Sequence, residues 1–443
     1  MGLFKWLYPG MKGKRWLFLA LAGLFVTALG ADLLMKGWLL GDFARHFHRI
    51  EDALFSDDYR MAAGVTFIIA GIGITAVGIL RVFSSIANAL TPGQEGRMAD
   101  MIYARRSLKR GPKIVVIGGG TGLSVLLRGL KEHTSNLTAI VSVADDGGSS
   151  GRLRGELGIL PPGDIRNCLV ALADKEPLME ELLQYRFSTG ELAGHSMGNL
   201  LLAALTDITG GFDQAVRSMN KVLALRGHVL PVTLTNVTLC AEMTDGSVMK
   251  GQSKISHASS RIKKVYLEPS YCLPLAVALQ AIAEADAVVL GPGSLYTSII
   301  PNLLVKGIPE ALTKTHAIKI YVCNVMTQVG ETDGFTASSH LRALIEHKGN
   351  FLDYIVLNNG RVPLRLRARY QLGGAEPVVA DISEVEKLGV EAIGVDLVHK
   401  TDLVRHHPEK LANIILRLIY LEKTQQEQRR HPKNRQDNDQ EHG

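Results

Sequence analysis

The hydrophobic pattern changes character along the chain. Residues 61 to 80, MAAGVTFIIAGIGITAVGIL, are 20 residues without a charge, about the length that spans a bilayer as a helix. Arg81 closes the run. An earlier run, Trp16 to Leu40, is interrupted by Asp32 and Lys36, yet offers 16 uncharged residues from Trp16 to Ala31. The pattern predicts a two-helix transmembrane hairpin over residues 1–81. A signal peptide is the competing reading of the first run. No small-residue cleavage site stands out, however, and a second span follows.

From residue 113 the pattern shortens. Apolar runs at 113–117, 137–143, 229–233, 286–290 and 318–323 read as strands, and helical stretches separate them. FLDYIVLN reads as a further strand and LANIILRLIYL as a final helix. This alternation predicts an α/β fold, a doubly wound, Rossmann-like parallel sheet over residues 113–420. Residues 82–112 form a linker broken by TPGQEG at 91–96. Residues 421–443 carry almost no apolar content and are expected to be a disordered tail. There is no internal repeat.

Composition supports this division. The chain has 443 residues, 46% hydrophobic and 21% charged, and its mean hydropathy of +0.12 agrees with a membrane segment. Much of the net charge of +6 lies beside the apolar runs. Lys5, Lys12, Lys14 and Arg15 precede the first. Arg81, Arg97, Arg105, Arg106, Lys109 and Arg110 follow the second. The stretch between, residues 41–60, holds five acids (Asp42, Glu51, Asp52, Asp57, Asp58) against three arginines (Arg45, Arg49, Arg60). The positive-inside rule then makes this a multi-pass cell-membrane protein with both ends, and the large domain, in the cytoplasm. No basic stripe interleaved with aromatics appears, which argues against nucleic acid. Cys168, Cys240, Cys272 and Cys323 lie far apart in apolar runs. They read as buried thiols, without disulfide or metal spacing.

Candidate chemistry sits where strands end. In KIVVIGGGTGLSVLLRGLKEH a strand drops into Gly118-Gly119-Gly120-Thr121-Gly122, and a helical pattern follows. The dinucleotide spacing G-x-G-x-x-G fails at Leu123. The turn instead suggests an anion site at a helix N-terminus, with the Thr121 hydroxyl as an added donor. The next strand ends in ADDGGSSGRLR. Asp145 and Asp146 are candidates for Mg²⁺ or ribose hydroxyls, Ser149 lies among small residues, and Arg152 could meet phosphate. In PPGDIRN, Asp164 either serves a ligand or caps the following helix, and Arg166 and Asn167 follow it. In GHSMGN, His195 orients a phosphate, acts as a base or is structural, with Asn199 beside it. A second glycine and hydroxyl turn, GPGSLYTS, follows the strand ADAVVL and contributes Gly293 and Ser294.

In this order, GGGTG, DDGGSSGRLR, PPGDIRN, HSMGN, GPGSLYTSIIPNLL and YVCNVMTQVGET closely resemble the gluconeogenesis-factor (YvcK-like) branch of the CofD-like superfamily. The resemblance runs over roughly residues 113 to 420 and leaves the membrane hairpin outside. It implies a UDP-sugar ligand, such as UDP-N-acetylglucosamine, whose phosphates are held by Gly119, Gly120, Thr121 and Gly122 with help from Gly293 and Ser294. By the same resemblance Tyr370 stacks on the uracil and Arg405 contacts the ligand. The branch is associated with gluconeogenic growth, cell shape and wall synthesis, without firmly established catalysis. The alternative is a transferase like CofD, which moves a phospholactyl group from a nucleotide carrier. In that case Asp145 and Asp146 would hold Mg²⁺. No other cofactor is implied. A homo-oligomer and wall-synthesis or signalling protein partners are expectations of the same kind. Gln252 stands where the family pattern has Glu, and Val329 where it has Pro.

Overall fold

The computed structural model describes residues 14–35, 57–90, 106–174, 177–400 and 404–430. It divides at Arg106 into two compact units. Most of the 41–60 stretch, the TPGQEG break and several of the basic flanking residues lie outside the described residues.

The first unit contains two long apolar helices, Lys14–Leu34 and Asp57–Leu90. Lys14–Leu34 and Tyr59–Ser85 are each long and apolar enough to cross a membrane. The second helix continues to Leu90, past the Arg81 boundary expected from sequence; no Gly or Pro interrupts residues 82–90. Glycine faces hold the pair together. A β-carbon built on Gly23 would lie 2.5 Å from Thr75 N, one on Gly71 2.5 Å from Thr27 N, and one on Gly78 2.6 Å from Ala20 N. Gly64, Gly71 and Gly78 recur every seven residues, so one helix face stays bare enough for backbone to meet backbone.

The second unit is built on a seven-stranded sheet. Its strands are β1 (Ile114–Gly118), β2 (Leu137–Val141), β3 (His228–Pro231), β7 (Ala287–Leu290), β8 (Ile318–Val322), β9 (Tyr354–Asn358) and β10 (Glu391–Val395). Their spatial order is β10-β9-β8-β7-β1-β2-β3, and every pairing is parallel. β1 and β7 are buried at every position. Strands covered on both faces are continuously apolar rather than alternating, which is why they stand out in the sequence. The chain winds outward from β1 through β2 to β3, then returns to pair β7 on the other side of β1. The switch point of the sheet is therefore between β1 and β7, where open α/β sheets take ligands.

Three strands between β3 and β7 form a separate antiparallel sheet, ordered β5-β4-β6: β4 (Thr238–Met243), β5 (Val248–Lys250) and β6 (Ile262–Glu268). Near the C-terminus, β11 (Val398–Lys400) pairs antiparallel with β12 (Val404–His406). Neither small sheet is apparent from the apolar runs. The last helix, Pro408–Arg430, runs past Leu421, where a disordered tail was expected. Glu, Lys and Gln carry it on as good helix formers, and Glu422 anchors it by accepting the Tyr354 hydroxyl at 2.6 Å. Residues 431–443 lie outside the described residues. All four cysteines are free and buried, as expected.

Candidate functional site

The two glycine turns meet at the switch point. β1 ends at Gly118, and the helix Gly120–Leu130 starts with Gly119 as its N-cap, extended and without any side chain capping it. A glycine N-cap offers no side chain of its own to the first-turn N–H groups. Gly120 has φ +70°, and a β-carbon there would find only Asp164 Oδ1 and Ser298 Oγ, each at 4.0 Å. At Gly122 a β-carbon would lie 2.6 Å from the Pro292 carbonyl oxygen. The first turn is thus pressed against Gly291-Pro292-Gly293, and glycine is what allows the approach. Asn302, fully buried, fastens the two: its Nδ2 donates to the Gly118 carbonyl at 3.1 Å and to the Ser298 carbonyl at 2.7 Å.

The meeting leaves a cleft of about 220 Å³ lined by Gly119, Gly120, Thr121, Gly122, Gly293, Ser294 and Arg405, all expected from sequence. Its remaining wall was not singled out: Val125, Pro292, Ser298, Asn324, Val325, Met326, Gln328, Val404 and His406. Four of these lie in YVCNVMTQVGET, directly after β8, so the motif itself was the available signal. Asn324 Nδ2 donates to the Gly293 carbonyl at 2.9 Å. Gln328 is held by buried Glu331, whose Oε1 also accepts Thr297 Oγ1 at 2.8 Å and Ser256 Oγ at 3.1 Å. Burial raises the Glu331 pKa. His406 donates Nε2–H to the Cys323 carbonyl at 3.1 Å, and burial lowers its pKa to about 4. It is a neutral part of the wall near pH 7, and Arg405 is the cation.

Tyr370 does not line the cleft. Its hydroxyl accepts the Val404 N–H at 3.2 Å, and its ring packs behind the wall with Val325, Met326 and Val404.

The other expected residues form a second layer beneath the turn. Asp164 is not the N-cap of the helix Gly163–Leu172; that position is Pro162. Its carboxylate instead accepts the Gly120 N–H, and a β-carbon on Gly119 would stand 2.5 Å from its Oδ2. Desolvation, then the charge of Asp145, raises its pKa to about 7. Asp145 accepts the Gly147 N–H at 2.9 Å, and desolvation raises its pKa as well. The expected Asp145–Asp146 pair is divided. Asp146 turns away to accept Ser253 N and Ser253 Oγ, both at 2.8 Å, where it caps a short turn. Among the described residues no group of three or more His, Cys, Asp or Glu could hold a metal ion.

Arg166 is no surface residue. It donates to Ser196 Oγ, to Asn199 Oδ1 at 3.1 Å and to Asn167 Oδ1 at 2.8 Å. Asn199 Nδ2 donates to Ser149 Oγ at 3.0 Å, and Ser149 Oγ stands 3.0 Å from His195 Nδ1. Desolvation and Arg152 lower the His195 pKa. Arg152 itself donates to the Ala193 carbonyl at 2.7 Å. Ser149, His195, Asn199, Arg166 and Asn167 thus form a linked polar scaffold with Arg152 beside it, and none of the six lines the cleft.

Asp164 makes stability depend on pH. A carboxyl whose folded pKa is raised binds its proton more tightly in the fold, so stability falls as pH climbs from the unfolded value toward the folded one. The window here runs from 3.8 to about 7. Asp164→Asn keeps an acceptor for the Gly120 N–H and removes the charge. Between those values the variant should lose less stability than the parent, read as urea midpoints at either end. Parallel losses would show that this carboxyl does not titrate in the window.

Comparison with known proteins agrees with this architecture. The family model described as 2-phospho-L-lactate transferase CofD matches residues 114–398. The "Gluconeogenesis factor" of Bacillus subtilis (strain 168) is 53% identical over 311 residues, 70% of this chain and 98% of the relative. A relative from Nostoc sp. is 47% identical over 423 residues, 94% of this chain and 92% of its own length. A crystal structure of a Bacillus halodurans protein superposes with a TM-score of 0.68 at 51% identity, covering 69% of this chain and 99% of that one. That structure corresponds to the α/β unit without the apolar helices. The order of the motifs, the sheet and these identities agree: the chain belongs to the gluconeogenesis-factor family of the CofD-like superfamily.

Proposed function

We propose that the cleft binds a nucleotide sugar of the UDP-N-acetylglucosamine type. In this reading the protein is a membrane-tethered cytoplasmic regulator linking gluconeogenic carbon metabolism to cell shape and wall synthesis. One observation carries the reading: two glycine turns at the C-terminal ends of adjacent parallel strands enclose a cleft, with a helix N-terminus whose N-cap is glycine on one side and Arg405 on the other. Backbone N–H groups and one guanidinium suit a diphosphate. The uncharged remainder of the wall, with Asn324, Gln328, Val325 and Met326, suits a base and sugar. Tyr370 supports that part of the wall from behind Val404. A Mg²⁺ ion carried by the diphosphate would find Asp145 and Asp164 beneath the turn, with Asp146 engaged elsewhere. The family description favours a second reading, a CofD-type transferase acting from the same cleft.

Calorimetry with UDP-N-acetylglucosamine tests the ligand, and recovery of that ligand after long incubation with Mg²⁺ separates the readings. Intact ligand supports the regulator, whereas a released nucleotide product supports the transferase. No heat of binding would remove the proposed ligand class. For the tether, protease added to intact cells should leave the α/β unit whole; digestion from outside would refute a cytoplasmic placement.

A further inference from the structure

The helix Leu364–Leu372, LRLRARYQL, presents its faces in an order unusual for a surface helix, and none of its residues is buried. Its inner side, Leu366 and Tyr370 together with Val362, packs on the small cluster Val325, Met326, Val398 and Val404. Its outer side is apolar along the middle. Leu364, Ala368 and Leu372 follow at i, i+4 and i+8 and so share one face. Leu364 is 81% exposed and Leu372 91%. At 3.6 residues per turn, Arg365 and Arg367 fall on opposite flanks of that ridge. Arg361 precedes the helix and Arg369 follows the flank of Arg365; all four arginines are exposed. No Asp or Glu occurs from Tyr354 to Ala375. An ordinary surface helix turns its polar face outward. A leucine ridge held outward between arginines matches a helix lying in a lipid headgroup layer. There the leucines reach the acyl boundary and the guanidiniums reach phosphates.

We propose that the helix Leu364–Leu372 docks the α/β unit onto the surface of an anionic phospholipid bilayer. Charge complementarity selects this partner: the patch is wholly cationic, and the cytoplasmic leaflet is anionic. A bilayer always within reach of the patch rests on the tethered reading above; the patch itself does not. The docking helix is also the outer support of the cleft. Its inner face holds Tyr370 against Val404, and Val404, Val325 and Met326 line the cleft. Lipid contact and ligand contact would thus bear on one shared wall.

The test uses residues 107–430, the unit whose counterpart in Bacillus halodurans forms a crystal structure without the apolar helices. Co-sedimentation with phosphatidylglycerol vesicles should exceed that with phosphatidylcholine vesicles by about tenfold or more, and should fall with added salt. Combining Arg361→Gln, Arg365→Gln and Arg367→Gln should remove that preference. Leu364→Asp with Leu372→Asp should remove binding while every arginine remains. Both variants change only exposed side chains, and an unchanged thermal transition confirms that they fold. Absence of vesicle binding by the parent, or undiminished binding by either variant, overturns the proposal. So does self-association of the parent that the leucine variant abolishes, since that gives the ridge to a second copy. If the full chain is membrane-bound while residues 107–430 ignore vesicles, the tether stands and the docking falls.

Discussion

Gly120→Val should leave the α/β unit folded and its cleft unable to hold UDP-N-acetylglucosamine. Gly120 sits at φ +70°, a backbone region that valine avoids, and the space beyond its Cα is open toward the cleft, with the nearest atoms 4.0 Å away. The valine side chain has two alternatives. It can occupy the volume a phosphate needs, or it can force the turn to a negative φ and re-aim the N–H groups behind it. Either loses two or three charge-assisted hydrogen bonds, worth about 1.5–3 kcal/mol each. Binding should therefore fall below detection in calorimetry on residues 107–430. Thr121→Ala removes one neutral hydroxyl and should cost only about 1 kcal/mol. The order of the two effects is the check. Normal binding by Gly120→Val would make the turn a structural corner, and a thermal transition measured alongside establishes that an empty cleft belongs to a folded protein.

Gly122→Ala is the second large effect, and it acts on the fold before it acts on the ligand. Its added methyl would lie 2.6 Å from the Pro292 carbonyl oxygen and 3.2 Å from Gly293 N. Both obstacles are backbone, so no rotamer change relieves the overlap. The turns must separate, straining the grip of Asn302 on Gly118 and Ser298. Overpacking of this kind costs about 1–3 kcal/mol, visible as a lower urea midpoint. Because the cleft lies between the two turns, ligand affinity should drop with stability. Gly120→Val also loses some stability, because valine is strained at φ +70°, but there the loss of affinity should far exceed the loss of stability. An unchanged midpoint for Gly122→Ala would mean that the two loops have room to part.

The residues that line the cleft divide cleanly by what makes them recognisable. Gly119–Gly122 and Gly293–Ser294 are legible because a buried parallel strand is a continuous apolar run, and glycine immediately after it marks a turn that β-carbons would obstruct. Asn324, Met326 and Gln328 follow β8 by the same logic, but no single residue there has chemistry distinctive enough to single it out. The acids show the opposite case. Asp145 and Asp146 are neighbours in sequence, and adjacency suggested a shared ion. Their side chains part company in the fold, and the partners that decide their roles, Gly147 for one and Ser253 for the other, follow from the path of the chain.

Periodicity and local sterics, acting within a few residues, determined the parallel strands, the two membrane-length apolar runs, the glycine turns and the helix that follows the first of them. Those features arise from contacts each segment makes with itself or from its uniform burial. The tertiary structure alone decided that β7 returns beside β1, that Asp164 lies under Gly119 and Gly120, and that Arg405 and His406 close a cleft begun at Gly119. It also turned Arg166 inward to Ser196 and Asn199, and placed Tyr370 behind Val404. The physical reason is range. Each of these arrangements joins segments distant along the chain, and their burial, hydrogen bonding and shifted pKa values exist only once the strand order has brought them together.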